Sequence, residues 1–185
     1  SDVYKRQVVT PAIYAEAREL IQEHQARGHD VIIISASASI LVEPIAHELG
    51  VNTVVATEME IVDGQLTGEV TRYLKGPAKA VAVQQFADEH GYDLEASFAY
   101  SDSATDIPML ELVGNPVAVN PDRALRKHAL SEGWDTRSFK DPVPLIQMPN
   151  AREVGIGAGV VAGVTAIVVG GVLISRALRK EKRSA

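Results

Sequence analysis

The sequence contains no cysteine. That excludes disulfides and thiolate-held metals, and it fits a reducing compartment without requiring one. The five histidines (His24, His29, His47, His90, His128) show no HxH or HExxH spacing, so the paired-histidine face of a zinc hydrolase is missing. Three of them, His24, His47 and His90, fall near the ends of predicted helices, where solvated or capping roles are expected. No repeat of 20–50 residues is visible. An excess of positive charge is lacking too. The net charge is −6, and six Lys/Arg against two Glu make residues 151–185 +4, leaving −10 on residues 1–150. An acidic globular part is a poor match for a phosphate backbone, so nucleic acid is excluded as a partner.

What is present belongs to a globular chain: 185 residues, 46% hydrophobic and 23% charged, enough for one domain plus something small. Asp2–Gln7 (DVYKRQ) match the translation of a transposase end sequence used in DNA library adapters. Residues 1–7 are therefore set apart as an adapter-derived leader, and the natural protein is expected to extend upstream. Thr10-Pro11 reads as a helix start ahead of Ile13, Ala17, Leu20 and Ile21, with Gly28 as the stop. Val31–Ile34 is a β-branched apolar run suited to a buried parallel strand. A helix from Ser39 to Leu49 follows, then a strand over Thr53–Thr57 and a hairpin over Glu60–Val70 turning at Asp63-Gly64. Further on are a helix from Pro77 to His90, a strand Ser97–Tyr100, a short helix Ile107–Leu112 and a strand Pro116–Val119. Asn120-Pro121 caps a last helix ending at Glu132-Gly133. Strands alternating with helices predict an α/β fold, a Rossmann-like parallel sheet with helices on both faces.

The prolines at 142, 144 and 149 mark a linker over residues 141–153. Val154–Ile174 is 21 residues without a charge. As a helix it would span ~31 Å, the thickness of a bilayer core. It is expected to be one C-terminal transmembrane helix, membrane-anchoring the chain. Its Gly155, Gly159 and Gly163 form a GxxxGxxxG face through which a homo-oligomer could form. Residues 175–185 form a basic tail that the positive-inside rule would keep cytoplasmic. Against that, the cysteine-free domain and the lack of an export signal favour a cytoplasmic catalytic domain, which is the expectation adopted.

Chemistry gathers at the carboxyl ends of strands in such sheets, and three polar sites fall there. Ser35 follows Val31–Ile34, Asp102 follows the strand ending at Tyr100 with Asp106 four residues on, and Lys79 lies in the first turn of the helix opened by Gly76-Pro77. Singly, each has a plain explanation: a turn-forming serine, acids that suit a helix start, a solvated lysine. Together they offer a phosphoryl group a hydroxyl and an ammonium. They also offer magnesium hard carboxylate oxygens.

The stretches IIISASASILVEPIAHELGV, GPAK and YSDSATDIPMLELVG resemble the second, third and fourth motifs of haloacid dehalogenase-like phosphatases, in order. VNPDRALRKHALSEGW continues as in the phosphoserine phosphatase-like branch. The resemblance covers residues 8–140. It implies Ser35 and Lys79 as phosphate-binding groups, Ser35, Lys79 and Asp106 as catalytic residues, and Asp102 with Asp106 as the Mg2+ site. It further implies hydrolysis of a small phosphorylated substrate. The family's first motif, DxDxT, supplies the nucleophilic aspartate, and residues 1–34 contain none; much of the helical cap is absent as well. This chain alone is therefore expected to be inactive. A receiver-type phosphoacceptor domain also pairs acids with a hydroxyl and a lysine, but there the acids come first, whereas the order here is Ser35, Lys79, Asp102. A non-catalytic scaffold of the same fold is the other alternative.

Overall fold

The computed structural model describes residues 12–144 and 172–175. In chain order its elements are β1 (Ala12–Tyr14), α1 (Ala15–Ala26), β2 (Asp30–Ala38), α2 (Ser39–Glu48), β3 (Thr53–Val62), β4 (Gln65–Arg72) and α3 (Pro77–His90). Then come β5 (Phe98–Ser101), a 3-10 turn (Ala104–Asp106), α4 (Ile107–Leu110), β6 (Asn115–Val119), α5 (Arg123–Glu132), β7 (Asp135–Arg137), β8 (Pro142–Pro144) and β9 (Val172–Ser175). Seven strands form one sheet in the order β4-β3-β2-β9-β5-β6-β7, and β1 pairs separately with β8.

The run Asp30–Ala38 forms β2 because Val31, Ile32, Ile33 and Ile34 are buried on both faces of the sheet. Alternation divides them. Val31 and Ile33 join one core with Leu20, Ile21, Val42, Ala46 and Leu49 of α1, α2 and the segment after α2. Ile32 and Ile34 join a second core with Ala82, Val83, Met109, Leu110 and Leu125 of α3, α4 and α5. Helices therefore cover both faces of the sheet, as expected.

The sheet is mixed, however, and this corrects the expectation of an all-parallel one. β2 runs parallel to β3, and β5, β6 and β7 run parallel to one another. Between them β9 lies antiparallel to both β2 and β5. The hairpin arm β4 is antiparallel as well. The expected transmembrane helix is overturned at the same place. Among the described residues no helix is long and apolar enough to cross a membrane, and Val172–Ile174, the end of the expected span, belong to β9. A β-branched apolar run satisfies a strand hydrogen-bonded on both sides as readily as it satisfies lipid, so charge-free length alone did not discriminate. Residues 154–171 of that span, with Gly155, Gly159 and Gly163, lie outside the described residues, as do the leader and residues 176–185 of the basic tail.

Three smaller differences have local causes. Helix α1 starts at Ala15, because Ile13 is drawn into pairing with Val143. That pairing also turns the start of the expected linker into β8. At α5 the cap is Asp122, whose side chain accepts from Leu125 N–H. Asn120 instead takes a left-handed φ of 43°.

Candidate active site

Strand register fixes the backbone frame. Ile33 of β2 and Tyr100 of β5 both stand opposite Val172 of β9. Two residues further along each strand, Ser35 and Asp102 therefore lie at one level of the carboxyl edge. They are separated by two strand spacings, roughly 10 Å of backbone.

On the β5 side of this frame three side chains converge. Lys79 Nζ donates to Asp106 Oδ2 at 2.8 Å, and Ser101 Oγ donates to the same oxygen at 2.7 Å. All three residues are buried, Lys79 at 3% and Asp106 at 1% exposure. Gly76, with φ of 57°, and Pro77 at the first helical position start α3 so that Lys79 falls in its first turn. The Ala104–Asp106 turn brings Asp106 back within hydrogen-bond reach of Ser101. A buried ion pair of this kind contributes little net stability, but removing one partner strands a charge at about 3–5 kcal/mol. The pair thus fixes its two members to each other. Asp106 Oδ1 is also buried, and among the described residues no hydrogen-bond partner meets it.

Asp102 is half-buried beside this cluster. Burial pushes its pKa above the ordinary carboxylate value, and the negative charges of Asp106 and Asp122 add to the effect, against the pull of Lys79. A carboxylate held in that state is stabilised by a cation. Among the described residues no three His, Asp or Glu side chains converge as a metal cage. Magnesium does not require one; it commonly takes one or two carboxylates and fills its octahedron with water and phosphate oxygens. Asp102 and the unpartnered Oδ1 of Asp106 fit that donor set.

Ser35 is buried at the end of β2, where the pairing with β3 shifts register, and its Oγ accepts from Ser37 N–H at 3.1 Å. The structure thus joins Lys79 to Asp106, sets Asp102 next to them, and leaves Ser35 level with Asp102 across β9. Sequence reasoning missed Ser101 and Asp122. The signal for Ser101 was its place, immediately before Asp102 at the strand end. For Asp122 it was a helix-capping residue type just after a neighbouring strand.

The family model for haloacid dehalogenase-like hydrolases matches residues 2–111. The chain belongs to this family. A probable phosphatase of Mycobacterium tuberculosis is 46% identical over 168 residues, covering 89% of this chain and 58% of that protein. The inhibition of morphological differentiation protein of Streptomyces azureus is 54% identical over 141 residues, covering 76% of this chain and 51% of its own length. The chain thus spans between half and three fifths of these two relatives. Among solved structures, the apo form of a phosphoserine phosphatase superposes with a TM-score of 0.56 at 32% identity, covering 67% of this chain and 60% of that one. This haloacid dehalogenase-like hydrolase therefore stands in the phosphatase branch that its second, third and fourth motifs resemble.

Proposed function

We propose that this haloacid dehalogenase-like chain is the greater part of a Mg2+-dependent phosphomonoesterase domain whose reaction passes through an aspartyl-phosphate. The observation that carries the proposal is the buried Lys79–Asp106–Ser101 cluster beside the half-buried Asp102. In this reading Asp102 and Asp106 Oδ1 would hold the magnesium, which when bound supplies charge neutralisation for a phosphate. Lys79, oriented by Asp106, presents its ammonium to phosphoryl oxygens, and Ser35 offers a hydroxyl from the far side of the site. The nucleophilic carboxylate of this mechanism is one that residues 1–185 do not contain in a DxDxT motif. Because solved structures of similar fold are phosphoserine phosphatases, phosphoserine is the first substrate to assay.

Two preparations test the proposal. The 185-residue chain should bind Mg2+ in calorimetry, and Asp102→Asn should abolish that binding, yet the chain should not release phosphate from an aryl phosphate. A version carrying the family's first motif upstream should hydrolyse the aryl phosphate, and EDTA should stop it. EDTA-sensitive turnover by the 185-residue chain would contradict the assigned nucleophile. Absence of turnover by the longer version would favour the non-catalytic scaffold.

A further inference from the structure

The stretch Asp102–Thr105 is a short loop that must hold one carboxylate half-exposed and return the next to the interior. Its internal hydrogen bonds include one side-chain pair, Ser103 Oγ and Thr105 Oγ1 at 3.0 Å, while those that reach its backbone amides are long. Ser101 Oγ accepts from Ser103 N–H at 3.3 Å, and Ser103 Oγ accepts from Thr105 N–H at 3.3 Å. The shortest bonds to its backbone come from another element. Asp122 N–H donates to the Asp102 carbonyl at 2.8 Å, and Asp122 Oδ2 accepts from Ala104 N–H at 2.8 Å. One residue therefore grips the loop on both sides of Ser103. The second carboxylate oxygen, Oδ1, accepts from Leu125 N–H at 2.8 Å and caps α5.

This placement is built, not incidental. β5 and β6 pair in parallel with Ser101 opposite Ala118, so the chain leaving β6 runs beside the chain leaving β5. Asn120 then turns with a φ of 43°. Its side-chain amide is bonded both ways to Phe139: Nδ2 donates to the carbonyl at 3.0 Å, and Oδ1 accepts from the N–H at 2.9 Å. The turn delivers Asp122 to the acidic loop.

We infer that Asp122 is a positioning residue for the magnesium site: the clip from its carboxylate to Ala104 N–H, together with its N–H bond to the Asp102 carbonyl, sets where the Asp102 side chain points. The inference rests on the proposed Mg2+ role of Asp102 and adds to it the residue that aims the ligand. The plain alternative is that Asp122 only caps α5, since aspartate is a favoured cap.

Two substitutions separate the alternatives by deleting one hydrogen bond from opposite ends. Asp122→Ser keeps a capping oxygen for Leu125 N–H, but a single hydroxyl cannot also serve Ala104. Ala104→Pro removes the donor and leaves Asp122 and its cap untouched. Proline is tolerated there because Ala104 opens the 3-10 turn and Ser103 is extended, with φ of −111° and ψ of 135°. Calorimetric titration of the 185-residue chain with MgCl2 should show each variant binding Mg2+ about 10-fold more weakly or worse, as for other outer-shell partners of metal ligands. The thermal midpoint should hold in both, and the double variant should be no weaker than either single one. Faster hydrogen exchange of the Ala104 amide in Asp122→Ser would confirm that the clip was lost.

If the parent chain saturates with Mg2+ and either variant binds as well as the parent, the positioning role is wrong while the magnesium site stands. If the two losses add, Asp122 and Ala104 act separately and the clip is wrong. If the parent does not bind Mg2+ at all, the functional proposal fails and the inference fails with it.

Discussion

Lys79 and His24 show how far a residue's type and position carry. Lys79 was picked out at a helix start, and it is buried against Asp106. His24 was expected in a solvated or capping role at the end of its helix, and it is 3% exposed instead. Its Nε2 lies 2.9 Å from Tyr100 Oη and its Nδ1 2.8 Å from His29 Nδ1. His29 lies five residues on, past the end of α1, and Tyr100 is on β5, 76 residues away. Burial first, then the charges of His29, Arg27 and Arg137, lower the His24 pKa from 6.5 to about 4, against Glu23. The folded chain therefore favours the neutral ring more than the unfolded chain does. This stabilisation is complete above pH 6.5 and is lost as the pH falls towards 4, a difference of roughly 3 kcal/mol. The thermal midpoint should fall across that window, and His24→Gln should fall clearly less. Equal slopes for the two proteins would show that His24 does not drive the pH dependence.

Among the elements, α3, the end of α2 and the β3–β4 turn, each marked by glycine or proline, were read close to their limits, whereas Pro11, Pro121 and the prolines at 142 and 144 misled. Pro77 and Gly91 bound α3, and Gly50 follows α2 with φ of 68°. The β3–β4 turn at Asp63-Gly64 has φ of 51° and 76°, the paired positive values that a two-residue hairpin requires. Boundaries failed where a partner far along the chain decided them, as with Ile13, which joins β1 because Val143 is there to pair with it. Gly114, just before β6, has a role that chain position does not reveal. Its N–H donates to the Leu94 carbonyl at 3.0 Å, and a Cβ there would meet the Glu95 backbone, 2.8 Å from the carbonyl carbon. Gly114→Ala should destabilise the protein by about 3 kcal/mol, as expected for overpacking against unyielding backbone. A shift of the urea midpoint under about 0.5 kcal/mol would mean that the Glu95 loop gives way.

At the scale of the whole molecule, β9 closes the sheet. Without it β2 and β5 would face each other across a gap of one strand, each with a row of unpaired amides and carbonyls at the level of the proposed site. A chain ending at Pro144 should therefore lose cooperative unfolding, and β2 amides such as Ile33 should lose protection from hydrogen exchange. An unchanged urea transition in that shortened chain would show that β9 contributes little to holding the two halves together.

Periodicity and turn residues were sufficient to determine the α/β class and most helices and strands, and the order of Ser35, Lys79, Asp102 and Asp106 singled out the proposed site. These signals are local, set by backbone preference and by which face of an element is apolar. Tertiary structure alone decided the central antiparallel strand, the burial of His24, the hydrogen bond of Ser101 to Asp106 and the grip of Asp122 on the acidic loop. Each of these depends on hydrogen bonds between elements distant in the chain or on a turn geometry that residue spacing does not specify. Such bonds form only once the strands have taken their register.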